Sequence, residues 1–339
     1  MRKALLHIQI CALAALAATT AARAQEDGVF ARKTITIYVG NTAGGTYDLY
    51  GRLAARHLGR FVPGHPSVVV ENMPGAGSLR AANFIYGAAP KDGTALGIVT
   101  ENIAIEQALS NPAAQYDAAK LTWIARLGPS NAIHAMWFTS KVQSIEDAKK
   151  YGSALAGTGA GNLAEIIPTL LNALLGTKFR LVRGYPAANE ALLAMERGEV
   201  EGVSANWMTI KTQKKEWLAD KKVKIILQDL PTRGPDLLDT PALGELGDSA
   251  DDRKLTGLYA SVGAIGRSFF AAPGLPAANA AALRDGFAAM VKDPEFAADA
   301  EKISAEVAPA SGEALQKSVV ETLALPEYLR AKARAIFAR

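Results

Sequence analysis

The chain has 339 residues of ordinary globular composition, 49% hydrophobic and 21% charged. Its net charge of +4 falls to +1 once Arg2, Lys3 and Arg23 are set aside with an expected leader, so overall charge gives no reason to bind nucleic acid. The one cysteine, Cys11, lies in that leader, which excludes disulfides, thiol catalysis and cysteine-ligated metals from the mature protein.

The leader, residues 1–24, begins with Arg2 and Lys3. It continues through a mostly apolar stretch at 5–18 and ends on Ala22-Arg23-Ala24, the pattern of an export signal cleaved after Ala24. No stretch is long and apolar enough to span a bilayer comfortably, so a soluble periplasmic protein is expected. About 315 residues then remain, more than one hydrophobic core usually covers, and two domains are expected.

Downstream, short β-rich runs alternate with amphipathic ones. A strand at 34–39 runs into Thr42-Ala43-Gly44-Gly45-Thr46-Tyr47-Asp48 and a helix at 48–61. Leu49, Leu53 and Leu58 mark the apolar side of that helix; Arg52, Arg56 and Arg60 recur on a solvated side. A second strand at 68–70 runs into Asn72-Met73-Pro74-Gly75-Ala76-Gly77-Ser78 and a helix carrying Leu79, Ala82, Ile85 and Tyr86. A turn at 88–93 precedes a strand at 94–99. Strands follow at 121–127 and 135–139, then a short helix at 144–150. A strand at 153–156 opens onto a third glycine run, Gly157-Thr158-Gly159-Ala160-Gly161-Asn162, and a helix at 163–175. Strands at 179–182, 200–203 and 223–227 alternate with helices at 189–197 and 208–219. A Pro/Gly/Asp-rich linker covers 231–247. Beyond it come a strand near 269–272, helices at 277–292 and 295–303, and a last helix from about 312 to the end. Such alternation predicts an α/β protein with mostly parallel sheets flanked by helices.

Each glycine run joins a strand to a helix start, where backbone N–H groups are unsatisfied and the helix dipole is positive. That geometry suits a carboxylate or phosphate. The candidate ligand-binding residues are Ala43, Gly44, Gly45 and Thr46 of the first loop, Gly75, Ala76 and Gly77 of the second, and Gly159, Ala160, Gly161 and Asn162 of the third. Asn102 beyond the third strand, and Tyr185 and Asn206 after later strands, complete the set. Asp48 is counted with it as a brace or cap of its own loop rather than a direct contact, since like charges repel. Glu101 is expected to face solvent and Trp207 to pack on its helix, while Ser78 is expected either to donate its hydroxyl toward an anion, like Thr46, or to cap the helix after it.

The third run lacks the full spacing of a dinucleotide loop and the lysine of a P-loop. His57, His65 and His134 are far apart in sequence, with no zinc spacing and no Gly-x-Ser-x-Gly element. No catalytic group, metal or cofactor is therefore expected. An exported enzyme acting on an organic acid is the alternative, and it would need an acid–base pair facing the cleft.

Gly44-Gly45-Thr46-Tyr47-Asp48 with Arg52 resembles a Gly-Gly-x-x-Asp-x-x-x-Arg signature. The stretch from Val70 to Gly77 is similar to Val-x-Asn-x-Pro-Gly-Ala-Gly, and Pro90-Lys91-Asp92-Gly93 to the Pro-x-Asp-Gly turn that follows it. Gly157-x-Gly159, Gly184-Tyr185, the run from Arg197 to Gly202, Ala272-Pro273-Gly274-x-Pro276 and Asp293-Pro294-Glu295 continue the resemblance in order. The family is the extracytoplasmic receptors of tripartite tricarboxylate transporters, the Bug or TctC-like proteins. The resemblance implies a type II-like periplasmic-binding-protein fold of two α/β domains, at 30–123 plus 238–339 and at 124–237, with the ligand in the cleft between them. It also implies a monomer that holds a small carboxylate by hinge closure and delivers it to the small and large membrane components of a permease, or acts as an orphan receptor that signals. The third loop departs from the family pattern: Ala160 stands where a Ser or Thr is usual, and Asn162 or Leu163 where a His is. The half of the cleft that distinguishes one acid from another has therefore changed.

Overall fold

A computed structural model of the chain describes residues 28–159, 162–186 and 188–337. The expected leader with Cys11, and the loop residues Ala160 and Gly161, lie outside the described residues.

Period-two patterning builds the first sheet. In β1 (Thr34–Val39) the side chains of Ile35, Ile37 and Val39 are fully buried on one face. Parallel to it on either side run β2 (Ser67–Asn72) and β3 (Ala95–Ile98). β4 (Thr122–Arg126) runs the same way but is separated from β3 by β10 (Ser268–Ala271), which is antiparallel to both. A two-residue strand, β11 (Ala310–Ser311), covers the outer edge of β4.

The second sheet repeats the plan. It contains β5 (Ala132–Trp137), β6 (Gly152–Gly157), β7 (Lys178–Arg183), β8 (Gly202–Asn206) and β9 (Val223–Gln228). Its order is β7-β6-β8-β5-β9, against β2-β1-β3-β10-β4 in the first sheet. Leaving aside the short edge strand β11, each sheet thus has four strands running together and one opposed strand inserted before the last.

Helices cover both faces of each sheet, as near-continuous apolar strands require. Against one face of the first sheet lie α1 (Thr46–His57), α10 (Ala277–Met290) and α11 (Pro294–Lys302), through Leu53, Phe287 and Phe296. The other face holds α2 (Leu79–Gly87) and α12 (Gly312–Leu323), through Ile85 and Val319 packed with Trp123 and Phe270. On the second sheet, α5 (Leu163–Leu175) and α9 (Ala250–Ser261) bury Leu170, Leu171 and Tyr259 against Met136, Leu155 and Ile226. Opposite them, α6 (Ala188–Glu196) and α8 (Lys215–Ala219) bury Met195 and Trp217 against Val203 and Ile225.

The chain leaves the first sheet after Arg126 and re-enters it at Ser268. The two crossings lie side by side: Leu127 N–H donates to the Arg267 carbonyl (3.1 Å), Arg267 N–H to Gly128 (2.9 Å) and Ser130 N–H to Gly263 (2.9 Å). Glycine is needed at this contact, because a Cβ on Gly266 would sit 2.4 Å from the Gly128 oxygen. A third passage brings α13 (Glu327–Phe337) back onto the second half, where Leu329 and Ala333 pack with Leu255 of α9.

Several elements differ from the sequence reading for identifiable reasons. The last helix is two, because Pro326 cannot continue α12 and α13 starts just beyond it. The helix expected at 208–219 breaks at Lys214, whose φ of −129° lies outside the helical range. The strand expected at 135–139 occupies 132–137. Helix α9 was missed altogether: its apolar periodicity is weak, yet Ser249 and Asp252 form a capping box at its start.

Candidate functional site

The carboxyl ends of the parallel strands face a cleft between the two sheets, where ligands sit in open α/β folds. Its volume is about 360 Å³, at the small end for a ligand site. The starts of α1, α2, α5 and α6 line it, drawn from both sheets. So do the caps of two shorter helices, α3 (Ile103–Ala108) and α7 (Trp207–Gln213).

The first wall is three loops tied together by side chains. Asp48, 2% exposed, accepts from the Gly44 N–H (2.8 Å), Arg52 Nε (2.9 Å) and Asn72 Nδ2 (2.9 Å). Burial opposes its ionisation, but these hydrogen bonds outweigh it and hold its pKa below the ordinary carboxylate value. Asn72 also donates to the Asn41 carbonyl (3.0 Å), so the second strand grips the first loop. Ser78 has no side-chain cap bond to its helix. Its hydroxyl instead reaches the Gly40 carbonyl (3.1 Å) and Asn41 Oδ1 (3.2 Å), joining loop two to loop one. A Cβ at Gly40 would lie 2.6 Å from that of Ser78, so the loops meet only because Gly40 has none. Loop two turns on consecutive positive φ values at Gly75 (139°), Ala76 (48°), Gly77 (62°) and Ser78 (74°). Thr100 ties the end of β3 to it through the Gly77 carbonyl (3.0 Å).

The second wall uses the same chemistry once. Glu165, 4% exposed on the first turn of α5, accepts from the Gly159 N–H (2.9 Å) and from Arg183 Nε (2.8 Å). Asn162 caps α5 by accepting from Ala164 N–H, and Asn206 caps α7 by accepting from Met208 N–H (2.9 Å). Ser204 and Thr158 add hydroxyls to the lining.

Of the expected residues, Gly44, Gly45, Thr46, Gly75, Gly77, Asn102, Gly159, Asn162 and Asn206 line the cleft. Ala43, Ala76, Asp48 and Tyr185 do not. The Tyr185 hydroxyl turns away to Glu199 (3.3 Å), and the Gly44 N–H is already taken by Asp48. Asn102 donates to Glu106 (3.1 Å) as it lines the cleft. Trp207 points to Asp236 (2.9 Å). Glu101, expected in solvent, is 6% exposed and belongs to the lining. The sequence reading missed Arg267, a 4% exposed cation on the return crossing. It also passed over Ser130 on the first crossing. Neither has a local motif; the antiparallel insertion of β10 brings Arg267 there.

The histidines are paired elsewhere. His134 Nε2 lies 3.1 Å from Asp229 Oδ1 in the second half, and neither residue lines the cleft. His57, Asp293 and Glu295 approach one another closely enough to hold a metal ion. The Arg60 guanidinium already bonds all three, at 2.9, 2.9 and 2.6 Å. Arg52, Arg56 and Arg60 are all exposed, as a solvated side requires, and Arg56 also bonds Asp299 of α11 (3.3 Å).

No protein-family model matches the chain, and no curated protein matches it. Solved structures do. BugD, a periplasmic binding protein, is 20% identical with a TM-score of 0.67, covering 90% of this chain and 98% of its own. A Rhodopseudomonas palustris protein solved with adipate is 22% identical with a TM-score of 0.65, covering 89% and 97%. MatC from Rhodopseudomonas palustris, solved with malate, is 20% identical with a TM-score of 0.63, covering 89% and 98%. The chain therefore has the two-domain α/β fold of the TctC and Bug periplasmic binding proteins. Among the described residues no helix is long and apolar enough to cross a membrane.

Proposed function

We propose that this chain is an extracytoplasmic receptor that captures a small carboxylate in the cleft, closes its two halves around it and hands it to a membrane permease. One observation carries the reading: helix starts from both sheets converge on a single small cleft. An acid held there would touch both walls and so favour the closed form. Structural neighbours solved with adipate and malate support the ligand class. The export signal expected at residues 1–24 supports a periplasmic site of action. We place the limits of the halves at the crossings, with 132–262 in the second half together with α13.

Thermal unfolding of ligand-stripped protein against a panel of organic, amino and aromatic acids tests this. An acid present at a hundred times its Kd stabilises by about 2.7 kcal/mol, a rise of roughly 5 °C in Tm. If no acid in the panel shifts Tm at millimolar concentration, the reading is wrong.

A further inference from the structure

Arg267 adds a positive charge to a cleft lined mostly by neutral groups and helix starts, with Glu101 as its one acidic side chain among the described lining residues. The sheet register sets its place: Phe269 stands opposite Ile98, which puts Arg267 level with Thr100 at the cleft edge. Its side chain is held from several sides. Nη1 donates to the Pro129 carbonyl (2.7 Å) on the first crossing. The guanidinium carbon lies 5.3 Å from the Tyr47 ring centre and 5.8 Å from that of Tyr50. Tyr47 is the second residue of α1, so the cation sits beside the first glycine loop.

What the guanidinium lacks is a directly bonded counter-charge. Nε is buried with no hydrogen-bond partner, and among the described residues no carboxylate lies within ion-pair distance. Glu306, the acid whose field reaches it, is held by Asn131 instead (3.0 Å). Arginine stays protonated when buried, so the molecule keeps at the wall of its cleft a cation that no carboxylate among the described residues bonds directly. Such a charge is costly unless something anionic completes it.

We infer that Arg267 is the anion anchor of this cleft, offering the part of its guanidinium that lines the cleft to a ligand carboxylate. The inference rests on the carboxylate-receptor reading and assigns charge selection within it. The glycine loops position the acid group by dipoles, and Arg267 makes the site reject the neutral amide or ester of the same acid. Because Arg267 belongs to one crossing and bonds the other, the charge it receives is registered at the hinge itself.

The experiment is titration calorimetry on ligand-stripped protein with succinate, malate, adipate, glutamate and benzoate, each against its amide. For any acid that binds wild type, Arg267→Gln should lower affinity by roughly tenfold to a hundredfold. Affinity for the amide should change by less than about threefold, so the acid-to-amide preference collapses, an outcome that mere loosening of the fold would not produce. An unchanged preference in Arg267→Gln overturns the anchor and leaves the receptor reading standing. Binding of none of these acids to wild type overturns both. If Arg267→Gln does not fold, Arg267→Met decides, because it removes the charge while keeping an unbranched stem that can fill the same space. Weaker acid binding with unchanged amide binding supports the anchor, and wild-type values for both overturn it.

Discussion

The first and third glycine loops stand on opposite walls and rest on the same device. In each, a buried carboxylate on the first turn of a helix takes a glycine N–H and is neutralised by an arginine: Asp48 with Gly44 and Arg52, Glu165 with Gly159 and Arg183. The first loop has more. Asn72 and Ser78 stitch it to the second loop, and Thr100 joins that second loop to the end of β3. On the second wall the starts of α5 and α7 are held by their own caps, Asn162 and Asn206, with no comparable stitching between them among the described residues. The difference teaches a division of labour. The first wall is pre-organised to grip a group common to many acids. The second is assembled from separate pieces that can be altered singly, and it is the wall whose sequence departs from the Bug pattern.

The largest expected effect separates the two braces. Asp48→Ala leaves a glycine N–H, an arginine and an asparagine without their shared acceptor, and should cost about 2–3 kcal/mol of stability and more than tenfold in affinity. Denaturant unfolding and calorimetry would measure both. Glu165→Ala should cost less, about 1–2 kcal/mol, because Arg183 is exposed and rehydrates readily. Equal losses from the two changes would remove the asymmetry. Ser78→Ala keeps the same backbone strain and deletes only the bond between loops. A loss of about 1 kcal/mol and a several-fold weaker ligand are expected, and unchanged affinity would mean the stitching has no part in pre-organisation. The smallest effect is in pH. Since the folded pKa of Asp48 is depressed, its stabilisation is complete above the unfolded value of about 4 and is lost as pH falls below that. Stability measured between pH 5 and 3 should therefore fall less steeply in Asp48→Asn than in wild type.

How much of this was legible in the chain follows from what is local. The first two loops could be read because glycines, a helix start and an acid four residues beyond Gly44 fall within one short segment. Asp48 was recognised as a brace on that spacing. Glu165 was not, although it stands three residues after the capping Asn162, because its glycine lies on the far side of an irregular loop. Arg267 was out of reach for a different reason. It becomes a cleft residue only because β10 crosses back from the distal part of the chain and inserts between β3 and β4. Glu101 was misplaced because a charged residue beside a strand end reads as solvent-facing until the second sheet is set against it. Pro326 did carry a local signal for the break between α12 and α13, but the segment from about 312 to the end was read as one helix.

Hydrogen–deuterium exchange with and without a bound acid tests the central claim most directly, because it reports on both walls at once. The account predicts that one acid at saturating concentration slows exchange at 40–48, at 73–78 and at 157–164 together. Protection confined to one wall would contradict a receptor that closes around its ligand.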